Sequence, residues 1–178
     1  PWVMNHPYID IQGNMGSQSG DDAAASRYIE AKASDFTKKV IFEDLDLVSV
    51  NYIDNYDFEQ ANRLPGYLPT KIPLILINGS SGIGEAYKCD LPPHNLIDIA
   101  NICIRYIRNK KITNKELVDG LFPDFPTGGE ILNGSEIEEY YKTGKPCTIL
   151  LRGKAKLDTI TNTILLVEFP YGVNIDDI

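Results

Sequence analysis

The sequence lacks an apolar run long enough to cross a membrane: stretches such as Ile164–Val167 are typical of it, whereas a spanning helix needs about 20 apolar residues. It is poor in cysteine. Cys89, Cys103 and Cys147 are widely spaced and odd in number, which fits neither a disulfide framework nor the paired spacing of a zinc site. A reducing, intracellular setting is the expectation. Histidine is scarcer still, with His6 and His94 alone, so a structural metal centre is not expected. No Gly-Lys-Ser/Thr ending follows the glycines of Gly82-Ile83-Gly84-Glu85, which argues against a phosphate-binding loop for ATP. No G-x-G-x-x-G turn joins a strand to a helix either. The first residues, Pro-Trp-Val-Met-Asn-His, show no basic flank or hydrophobic segment, so they read as the start of a cut piece rather than as a leader. Positive charge is in short supply, with Lys and Arg totalling 17 against 25 Asp and Glu, for a net charge of −8. Taken by itself that balance disfavours nucleic-acid binding, unless a local groove or another polypeptide supplies the positive field.

What is present suits a folded chain of one medium domain or two small ones, with 178 residues, 43% hydrophobic and 24% charged, and no low-complexity tract or internal repeat. Residues 1 to about 33 are rich in Gly, Ser, Asp and Ala without helical periodicity, and read as an ordered loop region. Ser34 is placed to cap a helix starting at Asp35, with Phe36, Val40 and Ile41 on one face. Residues 47–56 suggest a strand running into a turn. Pro65, Gly66 and Pro69 then break the chain, and a boundary near residue 70 is expected, with the apolar run Ile72–Ile77 opening a new element. Asn95 caps the best helix, whose apolar stripe comprises Leu96, Ile97, Ile99, Ala100, Cys103, Ile104 and Ile107. Thr113 with Glu116, and Ser135 with Glu138, each fit a capping box, and Gly144 suits a helix stop. Cys147–Leu157 and Ile160–Phe169 read as two strands paired across a polar turn near Asp158. The fold class expected is α+β.

Arg27-Tyr28 carries little by itself, since a packed ring beside a solvated guanidinium is the ordinary reading of such a pair. Its setting changes that. The run Ile11-Gln12-Gly13-Asn14-Met15-Gly16-Ser17, then Ala23-Ala24-Ala25-Ser26-Arg27-Tyr28-Ile29-Glu30-Ala31, closely resembles the active-site region of the gyrase and topoisomerase IV A subunits. Six further segments continue the likeness in order: Asn55-Tyr56-Asp57, Leu68-Pro69-Thr70-Lys71, Asn78-Gly79-Ser80-Ser81-Gly82-Ile83, Pro92-Pro93-His94-Asn95, Phe125-Pro126-Thr127-Gly128-Gly129 and Phe169-Pro170-Tyr171-Gly172-Val173-Asn174. Collinear matches from residue 11 to residue 174 make chance a poor explanation.

The resemblance implies a fragment of a DNA breakage-and-rejoining subunit: residues 1–70 as the rear of a winged-helix cleavage domain, and residues 71–178 as an incomplete α+β tower domain. It implies that Tyr28 attacks a DNA phosphodiester to form a 5′-phosphotyrosine, and that Arg27 stabilises the charge that builds on the phosphate. It implies that Ile83 inserts as a wedge between base pairs of double-stranded DNA, where its plain reading is a core isoleucine in a glycine-flanked turn. Asn78, Ser80 and Ser81 serve either as phosphate contacts beside the wedge or as turn formers. Asp21 and Asp22 read as loop residues, because the resemblance implies that Mg²⁺ and ATP are both held by a partner B subunit. It also implies that the intact polypeptide works in the cytoplasm as a homodimer. The chain departs from the family pattern at Ile11, at Met15 and over Gly84-Glu85-Ala86-Tyr87-Lys88-Cys89-Asp90, marking a divergent member. A DNA-bending or scaffolding member that has lost cleavage is the alternative.

Overall fold

The chain forms an α+β structure, seen in a computed structural model that describes residues 2–45, 50–54 and 63–177. Its strands pair as two-stranded antiparallel ladders among the described residues, with short helices between them. Strand β1 (Ile9–Gln12) pairs with β2 (Glu30–Ala33), placing Gln12 opposite Glu30 and Ile9 opposite Ala33. Residues 13–29 bulge from this ladder as one ordered excursion, pinned by an isolated bridge between Met15 and Ala23. Ser34 then caps α1 (Asp35–Thr37) as expected, its hydroxyl accepting from the Thr37 N–H at 3.1 Å. The helix continues as a wider turn over Lys38–Phe42. Thr37 and Ile41 are buried, Phe36 and Val40 half-buried, and Phe36 stacks on His6 with ring centroids 4.9 Å apart.

Of the strand expected over residues 47–56, the described part is β3 (Tyr52–Asp54), paired with β4 (Arg63–Pro65); the Asn55-Tyr56-Asp57 segment lies outside the described residues. The apolar run after Pro69 becomes a short helix, α2 (Leu74–Asn78). It leads straight into the hairpin β5 (Ser80–Gly84) and β6 (Tyr87–Leu91). The hairpin turns through two residues in the left-handed region, Glu85 at φ 47° and Ala86 at φ 69°. Turns of that kind favour Asn-Gly or Gly-Gly, which is why Glu85-Ala86 gave no hairpin signal.

Helix α3 (Leu96–Arg108) follows, with the Asn95 amide oxygen accepting from the Ile97 N–H at 2.9 Å. Asp98 lies in its first turn and Arg105 and Arg108 in its last, which complements the helix dipole. Its apolar stripe divides. Ile99 is buried with Ile77 and Leu121, and Leu96, Ile102 and Cys103 pack against them, whereas Ile97, Ile104 and Ile107 face outward. Helices α2 and α4 (Asn114–Leu117) flank α3, and the stripe is wider than that contact covers. Burying each core isoleucine is worth about 1.5–3 kcal/mol.

Thr113 and Glu116 form both halves of a capping box at α4. The second expected box does not form. Helix α5 (Gly134–Thr143) starts before Ser135, with Asn133 as its flanking residue, because the Asn133 amide donates to Glu136 and to the Thr148 carbonyl. Gly144 closes α5 in the left-handed conformation at φ 74°. Residues 147–150 are not a strand. The chain instead pairs β7 (Glu130–Ile131) with β8 (Leu151–Arg152), passes Gly153, and forms the hairpin β9 (Lys154–Asp158) and β10 (Thr163–Glu168). The Asp158 carboxylate accepts from the Ile160 N–H and the Thr161 hydroxyl, so the polar turn forms where expected.

One glycine is indispensable to this arrangement. Gly79 has φ 71° and ψ −175°, a region essentially closed to other residues. A Cβ there would fall 2.5 Å from the Leu91 carbonyl oxygen and 2.9 Å from the Pro93 nitrogen. Gly82, in contrast, has open space where a Cβ would go. Gly79→Ala is therefore expected to destabilise by about 1–3 kcal/mol or more, and Gly82→Ala by less than about 0.5 kcal/mol. Equilibrium urea unfolding of the two variants checks this, and equal midpoints would contradict it.

Candidate functional site

Two regions carry the side chains that the sequence singles out. The first is the excursion between β1 and β2. Its last turn is a single tight turn over Ser26–Tyr28, closed by the Tyr28 N–H on the Ala25 carbonyl at 2.9 Å and the Ile29 N–H on the Ser26 carbonyl at 3.1 Å. Gly13, at φ 118°, backs onto it: a Cβ there would sit 2.8 Å from the Tyr28 carbonyl oxygen. The bare glycine lets β1 approach the turn and fixes the tyrosine at the end of the ladder. Deeper in the loop, the Asn14 side chain accepts from Gly16 N–H and its carbonyl accepts from Ala24 N–H. Ser17 donates to the Asp21 carboxylate at 2.6 Å, which makes Asp21 a loop-bracing residue in this structure.

Tyr28 is 68% exposed. The Arg27 guanidinium carbon stands 4.9 Å from the centroid of its ring, a cation–π distance. Arg27 is itself exposed. The two residues thus form a pre-assembled unit, an outward phenol beside a fixed positive charge, and among the described residues no hydrogen bond ties up the phenol oxygen.

The second region is the β5–β6 hairpin. Ile83 stands at its far end and is 79% exposed, so the core reading of that side chain is corrected. Ser80 and Ser81 are exposed on the same strand. Asn78 is placed otherwise. Its amide oxygen accepts from the His6 N–H at 2.9 Å while its amide nitrogen donates to the His6 carbonyl at 2.8 Å, so both functional atoms clasp one main-chain residue. His6 lies just ahead of β1 and Asn78 just ahead of β5. The clasp therefore ties the base of one ladder to the base of the other. Asn5 adds a bond from its amide to the Asp124 carbonyl at 2.7 Å.

Beneath the hairpin lies His94, 3% exposed. Its N–H donates to the Ile77 carbonyl at 3.2 Å. The Leu76 carbonyl, 2.6 Å from Nδ1, can only accept, so Nδ1 carries the proton and Nε2 accepts from the Tyr141 hydroxyl. Burial holds the imidazole below the ordinary histidine value, outweighing the Leu76 carbonyl and the Asp124 and Asp98 carboxylates, which favour the charged form. Burial likewise pushes the Tyr141 phenol up. This neutral pair went unnoticed in the sequence, since nothing marks residues 94 and 141 as neighbours.

Among the described residues, no group of three or more His, Cys, Asp or Glu side chains converges in a way that would hold a metal ion. No described helix is long and apolar enough to cross a membrane.

Comparison with known proteins covers nearly the whole chain. The family model for the A subunits of DNA gyrase/topoisomerase IV matches residues 1–178. The chain is 41% identical over 179 residues to the DNA gyrase A protein of Buchnera aphidicola subsp. Baizongia pistaciae, covering 98% of this chain and 21% of that protein. It is 39% identical over 180 residues to the DNA gyrase A protein of Escherichia coli K12, covering 98% and 20%, and 42% identical over 172 residues to that of Rickettsia typhi, covering 94% and 19%. The chain thus spans about a fifth of the length of these curated relatives.

The buried His94 gives a pH dependence. Its folded-state pKa is depressed from 6.5, so its contribution to stability is whole above pH 6.5 and is lost as pH falls from there toward the depressed value. The carboxylates with lowered pKa act only below their ordinary range, leaving the interval from about pH 6.5 to 5 to the histidine. The urea midpoint should fall across that interval in the wild type and stay flat in His94→Asn, which keeps a donor for Leu76 without titrating. A fall of equal size in both would contradict the assignment.

Proposed function

The chain belongs to the family of DNA gyrase/topoisomerase IV A subunits, and on that premise we propose that it is part of the DNA breakage-and-rejoining subunit of a type II topoisomerase, with Tyr28 as the nucleophile. The observation that carries this reading is the exposed phenol of Tyr28 beside the Arg27 guanidinium, set in the family's active-site sequence. The Tyr28 oxygen attacks a backbone phosphorus and the bond from phosphorus to the 3′ oxygen breaks. The phenol proton passes to solvent or a neighbouring base, and the departing 3′ oxygen takes up a proton. The product is a 5′-phosphotyrosine and a free 3′-hydroxyl. An aryl phosphodiester keeps enough of the broken bond's free energy for the reverse attack to reseal the strand. Arg27 donates two parallel hydrogen bonds to the phosphate oxygens as charge builds on them.

The hairpin supplies the second function. An isoleucine left 79% exposed at the end of a two-stranded hairpin has the form of an apolar wedge, which unstacks a base step and kinks the duplex. Ser80 and Ser81 lie on the same strand as contacts for the adjoining backbone. Asn78 acts by positioning, since its amide is committed to His6. Residues 1–70 are assigned to the rear of a winged-helix cleavage domain and residues 71–178 to a tower domain supporting bent DNA. A homodimer places one Tyr28 on each strand, so that the double-strand break opens for strand passage in the cytoplasm. A Mg²⁺ ion would neutralise phosphate charge in this chemistry, but the described side chains do not form its site. Mg²⁺ and ATP are assigned to a B subunit, and this stretch alone is expected to be inactive.

The test uses the intact polypeptide that carries this chain, assembled with its B subunit. Tyr28→Phe should form no covalent DNA adduct, and Arg27→Ala should slow cleavage by about 10²–10³-fold. Ile83→Ala should still bind duplex but bend it less, measured by fluorescence transfer between the duplex ends. Adduct formation by Tyr28→Phe at the wild-type rate contradicts the reading.

A further inference from the structure

The β5–β6 hairpin carries a charged pair beside Ile83 to which cleavage and bending give no role. In an antiparallel ladder, directly opposed residues share a face, with Cβ atoms about 4.5–5.5 Å apart. The register sets Ile83 opposite Lys88 and Ser81 opposite Asp90, so these four side chains stand on one face. The other face carries Tyr87 and Cys89 opposite two bare glycines, Gly84 and Gly82. Lys88 Nζ lies 2.8 Å from Asp90 Oδ2, and the two side chains are 69% and 60% exposed. Ser81, directly across the ladder, also favours the charged form of Asp90. Its carboxylate is held below the usual range by Lys88 and Ser81, and the Lys88 ammonium above its own by Asp90.

Resting on the reading of Ile83 as a wedge, we propose that Lys88 is a phosphate-binding residue of the DNA site held in reserve by Asp90, and that insertion of Ile83 transfers the ammonium from Asp90 to a backbone phosphate flanking the unstacked step. Neighbouring strands of a ladder are about 4.7–4.9 Å apart, and phosphates recur about every 3.4 Å along each DNA strand. A lysine directly across the ladder from an inserted wedge therefore has a phosphate within the reach of its flexible stem. The exchange is cheap to start, because an exposed ion pair is weak. It is favourable to complete, because the phosphate contact releases a condensed counterion. Asp90 is not stranded afterwards, since its side chain is exposed and water takes the place of the ammonium. In a chain of net charge −8, the device keeps Lys88 neutralised until the wedge is seated, which couples electrostatic affinity to bending.

The test measures duplex binding by fluorescence anisotropy between about 50 and 200 mM salt, with the intact A polypeptide assembled with its B subunit. Lys88→Gln is expected to reduce the slope of log K against log salt by about 0.9, the loss of one phosphate contact. Asp90→Asn should tighten binding with the slope retained. In an Ile83→Ala background, Lys88→Gln should leave the slope unchanged. Both charged side chains are exposed, so unaltered urea midpoints confirm that the variants fold. A Lys88→Gln slope equal to wild type, or a full slope loss persisting with Ile83→Ala, overturns this inference while the wild type still binds and cleaves DNA. A wild type that binds no duplex overturns it together with the function beneath it.

Discussion

The segment Leu76–Gly79 is fastened on every side, and both candidate regions hang from it. The Leu76 and Ile77 carbonyls accept from His94, the Asn78 amide clasps both main-chain groups of His6, and Gly79 fits against Leu91–Pro93 only because it lacks a Cβ. A net hydrogen bond contributes about 0.5–1.5 kcal/mol, but leaving a buried partner unsatisfied costs about 1–3 kcal/mol, so this knot resists partial loss. Its geometric effect matters more than its energy. It sets the root of the Ile83 hairpin on the hydrophobic cluster of Ile77, Ile99 and Leu121 and holds the chain leading to β1 beside it. The excursion is stitched at its far end by the Ile175 N–H donating to the Gln18 carbonyl, and the chain ahead of β1 by the Tyr171 hydroxyl donating to the Val3 carbonyl.

The acidity of the chain, an objection to DNA binding when read as a bulk property, becomes less so once charge is located. Several carboxylates are committed: Glu130 to Arg152, Glu168 to Lys154 and the Gly129 N–H, Asp35 to Lys38, Asp90 to Lys88. Apart from the half-buried Glu168, these groups are exposed, and such pairs are individually weak. What matters for a polyanion is the local field at the contact, and the two proposed contact points each place a cation next to the residue that acts, Arg27 beside Tyr28 and Lys88 opposite Ile83.

Legibility in the sequence followed locality. The caps of α1, α3 and α4, the stop at Gly144 and the turn at Asp158 were readable because one side chain and a nearby N–H decide each of them. The Ser135 box failed because Asn133 competes for the same helix start through a bond to Thr148, fifteen residues away. The β5–β6 hairpin was hidden because its turn uses Glu85 and Ala86 in the left-handed region. The Asn78–His6 clasp spans 72 residues, and the His94–Tyr141 pair spans 47; no local pattern encodes either. Tyr28 and Ile83 were picked out by resemblance, and their exposure, one on a tight turn and the other on a hairpin strand, is information that only coordinates supply.

The claim at the centre is that the phenol oxygen of Tyr28 becomes esterified to a broken DNA strand. The chain contains 10 tyrosines, Tyr87 more exposed than Tyr28 itself, so the site of attachment is a discriminating observable. The intact A polypeptide and its B subunit, trapped on duplex DNA, digested with nuclease and protease and mapped by tandem mass spectrometry, should yield a nucleotide adduct on the peptide containing Tyr28 and on no other. An adduct on a different tyrosine, from a complex that cleaves and reseals DNA, would contradict the account.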